Sequence, residues 1–187
     1  MNDNAAVLKF FDRYDHLDYN QVEVSHITGL GLQDLNAWRK RGFIFADTSQ
    51  SRKVIFTGRL LMRAQFVGEM AWIVGPKRAG EMFDDLDHTI NGYADSLRNS
   101  KTDLGAVCSE ILKDRVVVGR PVGSYETAKL QRLSLPTSEG VRDHAAGFPW
   151  YLTSGDAYDI HPLAHAHTIL PLGQIVLDTA VRAQMMK

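Results

Sequence analysis

The feature that most constrains the fold is a glycine-punctuated stretch, VSHITGLGLQDLNAWRKRGF, from Val24 to Phe43. Glycine adopts left-handed backbone conformations at no steric cost, so Gly29 predicts the end of one helix. Gly31 lets the chain restart, and Gly42 ends a second helix that we expect from Leu32 to Arg41. The stretch therefore predicts two short helices joined by a tight turn.

The first of these helices has a recognisable start. Asn20 is a favourable N-cap, and Glu23 three residues later completes a capping box for a helix that begins near Gln21. Val24 and Ile27 are three residues apart and share the face that we expect to be buried.

The second helix is amphipathic. Leu32, Leu35 and Trp38 recur every third residue, and we assign them to the buried side. A helix, a glycine turn and a second helix with a polar, cationic outer face are typical of a helix-turn-helix. The same spacing also fits an αα-hairpin with a solvated outer face. The residues predicted to point outward are Gln33, Asn36, Arg39 and Lys40.

The segment that follows predicts a β-hairpin. Phe43 to Phe45 is apolar, Ala46 to Arg52 is polar or small, and Val54 to Phe56 is β-rich. A hairpin directly after a helix-turn-helix is a wing, which we place at residues 46–53 with Arg52 near its tip. From Gln33 to Arg63 the chain has seven cations and two carboxylates, although the whole chain has a net charge of −1. Such a local excess of positive charge is typical of phosphate binding.

Two longer helices are predicted after the hairpin. Thr57 caps a largely apolar helix from about Gly58 to Trp72. Pro76 suits the first position of another helix that extends to about His88. Residues 91–103 are polar and rich in turn formers, so we expect a domain boundary there.

Over residues 19–88 the sequence resembles the MerR-like winged-helix DNA-binding domain. Two departures stand in the helix pair: Gly31-Leu32 replaces a Ser-Pro pair common in the family, and Asn36-Ala37 replaces an Arg-Tyr pair that contacts DNA. Residues 90–115 also lack the sustained heptad of the family's long dimerisation helix. The residues that carry the resemblance are Tyr19, Thr28, Gly29, Leu35, Trp38, Arg41, Gly42 and Phe43, followed by Arg52, Lys53, Phe56 and Thr57.

The resemblance and the local charge together predict a protein that binds double-stranded DNA through helix 32–41 in the major groove. Asn36 is a candidate adenine reader, because its amide matches the adenine edge. Arg41, Arg59 and Arg63 are candidate phosphate contacts. The full predicted contact set is Gln33, Asn36, Arg39, Lys40, Arg41, Gln50, Ser51, Arg52, Lys53, Arg59 and Arg63.

The second half predicts a small α+β unit. We expect a helix at about Leu104 to Lys113, a strand of about four residues in RVVVGRPV and a C-terminal helix. SYETAKLQRLSL fits either a helix or a strand. Two further strands are predicted at Trp150 to Thr153 and Thr168 to Leu170.

The most suggestive chemistry in this half is a cluster of histidines, His161, His165 and His167, near Asp156 and Asp159. Imidazoles and carboxylates together are a metal-site composition, but their spacing matches no zinc signature. His144 lies upstream. We therefore predict no metal, no cofactor and no enzymatic activity, and keep a metal-dependent activity at these histidines as an alternative.

Composition places further limits on the chain. The lone cysteine, Cys108, has no internal disulfide partner, which suits a reducing cytoplasm, and we expect it to be an inert buried thiol. No apolar run is long enough to span a membrane, and the acidic start does not match a signal peptide.

We thus expect a mostly α chain with a small β-wing. An N-terminal arm (1–18) precedes a winged-helix domain (19–90) and an α+β dimerisation or effector domain (104–187). The predicted function is sequence-specific transcriptional regulation, with a homodimer on a two-fold site and a possible protein partner or effector bound through the second half. The main alternative is a phage-type DNA-packaging or recombination accessory protein, such as a terminase small subunit or an excisionase-like factor. A further alternative, beside the metal-dependent activity at the histidines, is a protein-interaction module that binds no nucleic acid.

Overall fold

The computed structural model describes residues 3–47, 54–100, 103–121, 129–134 and 165–187. These residues form two compact units, which are described separately. Unit 1 contains Met1–Ser109 and Ile175–Lys187, and unit 2 contains Glu110–Gln174.

The described chain is mostly helical with a small antiparallel β component, which confirms the predicted class at that level. Unit 1 is built on the helices α1 (Asp3–Asp12), α2 (Gln21–Thr28), α3 (Leu32–Lys40), α4 (Gly58–Val74) and α5 (Pro76–Asn99), and on the strands β1 (Leu17–Asn20) and β2 (Ile55–Thr57). The chain continues through α6 (Leu104–Ile111), β3 (Asp114–Pro121), β4 (Lys129–Ser134), β5 (His165–Leu170) and α7 (Leu172–Met185).

The segment predicted as an N-terminal arm is instead an ordered helix, α1, that belongs to the core. Val7, Phe10, Phe11 and Tyr14 follow the spacing of one helical face, and all four are buried. The Phe10 and Phe11 rings meet edge to face with centroids 5.2 Å apart. Packing of this aromatic face requires a covering surface, which α5 provides: the Arg98 Nη2 donates to the Phe11 carbonyl at 2.5 Å.

A two-stranded sheet holds the ends of the α2–α3 pair together. Strand β1 runs directly into α2, and it pairs antiparallel with β2, with Tyr19 opposite Phe56. Both of these side chains are buried. Because β1 lies before the helix pair and β2 lies after it, their hydrogen bonds close the loop of chain that contains α2 and α3.

Helices α4 and α5 form an antiparallel hairpin. Gly75, at φ 80°, ends α4, and Pro76 begins α5 as predicted. Phe66 of α4 and Phe83 of α5 have ring centroids 5.9 Å apart. Thr57 caps α4 by accepting a hydrogen bond from the Leu60 amide at 3.1 Å.

The predicted boundary at residues 91–103 is wrong for most of its length, because α5 continues to Asn99. Tyr93, Ala94 and Leu97 are buried along this extension, and packing in the core outweighs its polar composition. The apolar face of α5 is thus covered within its own chain.

The C-terminal helix also departs from the predicted domain division, since α7 from Ile175 onward belongs to unit 1. The Arg182 Nη2 donates to the Gln65 amide oxygen at 3.2 Å. At the chain end the Lys187 ammonium lies 3.9 Å from the Glu23 carboxylate and 4.8 Å from the centroid of the Tyr19 ring. The end of the chain therefore contacts the start of α2.

Unit 2 contains a three-stranded antiparallel sheet in the order β4-β3-β5. Strand β3 is 8 residues long, twice the predicted length, and it continues through Gly119 to Pro121. The ambiguous SYETAKLQRLSL segment forms β4 over its described part. The strand predicted at Trp150 to Thr153 lies outside the described residues.

No helix among the described residues combines the length and the apolar character that crossing a membrane requires.

The Tyr14 hydroxyl generates a prediction about stability. It is buried with no hydrogen-bond partner among the described groups, and burial, reinforced by Asp87, raises the pKa of Tyr14 well above its usual value. The unfolded chain ionises this tyrosine as the pH passes about 10, whereas the folded chain keeps it neutral. The ionisation of Tyr14 therefore does not change the free energy of unfolding below about pH 10, and it lowers that free energy as the pH rises further.

We expect Tyr14→Phe to be as stable as the wild type or more stable near neutral pH, because an unpartnered buried hydroxyl costs about 1–3 kcal/mol. Above about pH 10 the variant should lose less stability than the wild type. Urea unfolding at both pH values measures this. A loss of stability at neutral pH would show instead that the hydroxyl is bonded.

Candidate nucleic-acid interface

Helix α2 begins at the predicted capping box. The Asn20 Oδ1 accepts hydrogen bonds from the Val22 and Glu23 amides at 2.9 and 3.1 Å. The Glu23 Oε2 accepts from the Asn20 amide at 2.7 Å. Val24 and Ile27 are buried, as predicted. Local sequence thus determines where the first helix begins.

The turn between α2 and α3 is held by side chains as well as by glycine. Gly29 ends α2 at φ 74°, and the Ser25 hydroxyl donates to the Leu30 carbonyl at 2.6 Å. A Cβ at Gly68 of α4 would lie only 3.0 Å from the Leu30 Cδ2, so the missing side chain there makes room for Leu30. The turn is therefore packed directly against α4.

Helix α3 is anchored mainly by one residue. Leu35 is 1% exposed, but Leu32, which we predicted to be buried, is 44% exposed. Trp38 is half-buried. Leu32 occupies the first turn, and its N-cap Gly31 makes no side-chain capping bond. The start of α3 consequently lies outside the core. Leu35 is the residue of α3 that is buried in the core.

The outer face of α3 carries polar and cationic groups. Gln33, Lys40 and Arg41 are exposed. Lys40 belongs to the last turn of α3 and Arg41 follows it. Among the described residues, neither forms an ion pair. This face is therefore a source of uncompensated positive charge.

Two other members of the predicted contact set, Asn36 and Arg39, are half-buried rather than exposed. Asn36 lies between the exposed and the buried faces of α3. Arg39, predicted to point outward, is also half-buried, and its Nε is enclosed with no hydrogen-bond partner among the described residues. Part of the Arg39 side chain is thus buried.

Arg63, predicted to contact phosphate, is placed differently by the structure. Its side chain is 7% exposed, and its guanidinium donates to both oxygens of the Asp84 carboxylate. The Nε also donates to the Phe43 carbonyl at 3.1 Å. A buried guanidinium with these partners has no free edge for a phosphate, so we remove Arg63 from the contact set. The sequence signal for a buried, paired arginine was its position within the apolar run of α4.

Arg59 is reassigned for a related reason. Its side chain is 48% exposed, but its Nε donates to Asp87 at 2.7 Å and its Nη2 contacts the second oxygen of the same carboxylate. The hydrogen bond to Asp87 raises the pKa of Arg59. Counting cations along the sequence missed both pairs, because the compensating carboxylates lie on α5.

The first arm of the predicted wing is wrong. Phe43 to Phe45 forms no strand. The chain before and the chain after residues 48–53 meet instead at Asp47 and Ile55, whose backbones exchange two hydrogen bonds of 2.8 and 3.1 Å. Ile44 is buried and the Phe43 carbonyl accepts a hydrogen bond from Arg63, whereas Phe45 is 49% exposed.

The predicted wing tip lies outside the described residues. It contains four members of the contact set, which are Gln50, Ser51, Arg52 and Lys53.

The histidine cluster is described only in part. His165 and His167 belong to β5, where their backbones pair with Pro121 and Gly119 of β3. His144 and His161 lie outside the described residues, as do Asp156 and Asp159. No group of three metal-binding side chains occurs within the described ranges.

Cys108 is buried, as expected for an inert thiol. Burial raises the pKa of its thiol, which favours the protonated form at neutral pH.

Comparison with protein-family models and with curated proteins gives no match for this chain.

Two glycines of α5, Gly80 and Gly92, provide a matched test of the close contact between the Phe43 carbonyl and α5. A Cβ at Gly80 would lie 2.8 Å from the Phe43 carbonyl oxygen and 3.1 Å from the Arg63 Nη2, whereas a Cβ at Gly92 would meet nothing within 4 Å. Alanine is favoured over glycine in a helix by about 1 kcal/mol. Gly92→Ala should therefore raise the free energy of unfolding by about 0.5–1 kcal/mol.

Gly80→Ala should lower the free energy of unfolding by about 1–3 kcal/mol, because the new methyl group overpacks a backbone contact. Denaturant unfolding of both variants measures the difference. Equal stabilisation by the two substitutions would contradict the close approach of Phe43 to α5.

Proposed function

We propose that this chain is a sequence-specific DNA-binding protein that acts as a transcriptional regulator through a MerR-like winged helix-turn-helix. In this proposal α3 lies in the major groove and the loop between Asp47 and Ile55 is the wing on the backbone or in the adjacent minor groove. The base-reading groups are Gln33 and Asn36, and the phosphate contacts on the helix are Lys40 and Arg41.

The observation that carries the proposal is the state of the cations at the end of α3. Lys40 and Arg41 are exposed without a carboxylate partner among the described residues, while Arg59 and Arg63 are paired. Phosphate binding gains free energy from such uncompensated cations through the release of counterions from DNA. The net charge of −1 for the whole chain makes this face a local exception.

The distribution of negative charge supports one orientation on DNA. The outer side of α5 carries Glu81, Asp84, Asp85 and Asp95, all exposed. Three of them pair with Arg78, Arg63 and Arg98. Helix α5 has three cations and five carboxylates, and this net charge of −2 disfavours contact between α5 and phosphates. The approach that brings α3 towards the duplex is favoured over one that brings α5 towards it.

A cationic helix end also has a purely structural explanation. Cations near the carboxyl end of a helix complement its partial negative charge, and each stabilises the helix by about 0.3–1 kcal/mol. That role requires no exposed polar residue at Gln33. It therefore accounts for the charge but not for the rest of the surface.

Assembly on DNA is part of the same proposal. One winged unit covers few base pairs, so we propose a homodimer on a two-fold site. The apolar face of α5 is buried within the chain, and the dimer contact is accordingly assigned to the second half, which is also the proposed site for an effector or a protein partner.

The mapping of bound sites across a genome separates a regulator from a DNA-packaging or recombination accessory protein. A regulator should occupy many sites near promoters. Occupancy restricted to one packaging or recombination site would favour the accessory role.

The salt dependence of binding tests the proposed phosphate contacts. We expect Lys40→Ala and Arg41→Ala each to weaken binding to every duplex, and each to lower the slope of log K against log salt concentration by about 0.9. Lys9→Ala removes the same charge from an exposed position on α1 and should leave the slope unchanged. Fluorescence anisotropy with a labelled duplex at several salt concentrations measures the slopes.

The same variants distinguish the structural explanation from the functional one. If Lys40 and Arg41 serve only the helix dipole, their substitution lowers the free energy of unfolding and leaves DNA binding unchanged. Failure of the wild-type chain to bind any duplex at low salt would overturn the proposed function altogether.

A further inference from the structure

The contacts of Arg63 join three parts of unit 1. The residue lies on α4, and its Nε donates to the Phe43 carbonyl at 3.1 Å. Its Nη1 and Nη2 donate to Asp84 of α5, the second at 3.3 Å. The centre of its guanidinium lies 4.6 Å from the centroid of the Phe45 ring and 5.6 Å from that of Phe83.

These contacts fall on the short connection between α3 and Asp47. The Phe43 amide donates to the Trp38 carbonyl at 2.9 Å, so Phe43 is bonded to the last turn of α3 on one side and to Arg63 on the other. Phe45 lies two residues before Asp47, which pairs with Ile55. The connection between Phe43 and Asp47 has no strand pairing of its own.

We propose that Arg63 is a positioning residue for DNA recognition, which fixes the direction of α3 relative to the paired residues Asp47 and Ile55 without touching DNA. This inference rests on the proposed function, because it concerns how that surface is held in a geometry that can distinguish one DNA sequence from another. Base readout depends on the placement of side chains to within a fraction of an ångström, and a loosely held helix retains phosphate contacts while losing discrimination.

The chemistry of the site requires arginine. One planar guanidinium donates to a backbone carbonyl and to both oxygens of a carboxylate, and its face meets two aromatic rings. The lysine ammonium keeps the charge but lacks the planar fork and the stacking face. Arg63→Lys is therefore the substitution that removes the positioning while preserving the charge.

Arg98 offers a matched control. Its Nη2 also donates to a backbone carbonyl, that of Phe11, and its Nη1 lies 3.6 Å from an Asp95 carboxylate oxygen. It connects α5 with α1 and makes none of the contacts that join Arg63 to the connection between α3 and Asp47. Arg98→Lys thus removes a comparable link at a place that the proposal does not involve.

The first measurement is hydrogen exchange without DNA. In Arg63→Lys the Phe43 and Asp47 amides, which donate to the Trp38 and Ile55 carbonyls, should exchange about tenfold faster than in the wild type, under conditions where both proteins are folded. In Arg98→Lys the exchange of these two amides should be unchanged. Wild-type exchange rates at both amides in Arg63→Lys would overturn the proposal, whether or not the chain binds DNA.

The second measurement is the ratio of affinities for a selected high-affinity duplex and a scrambled duplex. Arg63→Lys should reduce this ratio about tenfold and leave the salt slope unchanged, because no phosphate contact is lost. A slope lowered by about 0.9 with an unchanged ratio would make Arg63 a phosphate contact and overturn the positioning role. Arg98→Lys should change neither quantity.

Asp84→Asn serves if Arg63→Lys does not fold. It weakens the ion pair but leaves the bond from Arg63 to the Phe43 carbonyl, so both effects should be present and smaller. If the wild type shows no preference among duplexes, the proposed function fails, whereas the hydrogen-exchange result still decides whether Arg63 holds the connection.

Discussion

Helices α2 and α3 contain 8 and 9 residues, and helices this short are marginal when isolated in water. Everything at the candidate DNA surface therefore depends on the contacts that hold this pair to the rest of unit 1. Three of them are the pairing of β1 with β2 around the pair, the packing of Leu30 against Gly68, and the bond from Arg63 to the Phe43 carbonyl. Each ties a different part of the helix pair, and α4 contributes to two of the three.

This dependence separates two kinds of arginine in the same stretch of sequence. Arg63 is buried and serves the interior, whereas Arg41 is exposed just after α3 and has no carboxylate partner among the described residues. The proposed function concerns the second kind, and the further inference concerns the first. In the proposed function the exposed cations provide affinity, and the buried guanidinium provides the accuracy of base readout.

The sequence predicted the features that are encoded locally. The capping box at Asn20 and the helix stop at Gly29 depend on neighbouring residues only, and so does the N-cap at Thr57. All three were found where they were predicted. Such signals carry their physical cause within one turn of helix, so no tertiary information is needed to read them.

The features that depend on distant residues were missed. A count of cations treated Arg63 as free, because Asp84 lies on another helix. The polar segment after Ile90 suggested a domain boundary. In the structure α5 continues through it, because Tyr93 and Leu97 are buried in the core. The helical spacing of Phe10 and its neighbours was present in the sequence, but nothing local indicated what would cover that face. Tertiary packing decided each case, as it commonly does where local preference is weak.

The DNA-binding claim itself is tested most directly by NMR titration of the whole chain with a short mixed-sequence duplex at low salt, following the backbone amides. We expect the largest shift changes from Gln33 to Arg41 and at residues 48–53. Changes centred on the acidic outer side of α5, or the absence of any change, would contradict it.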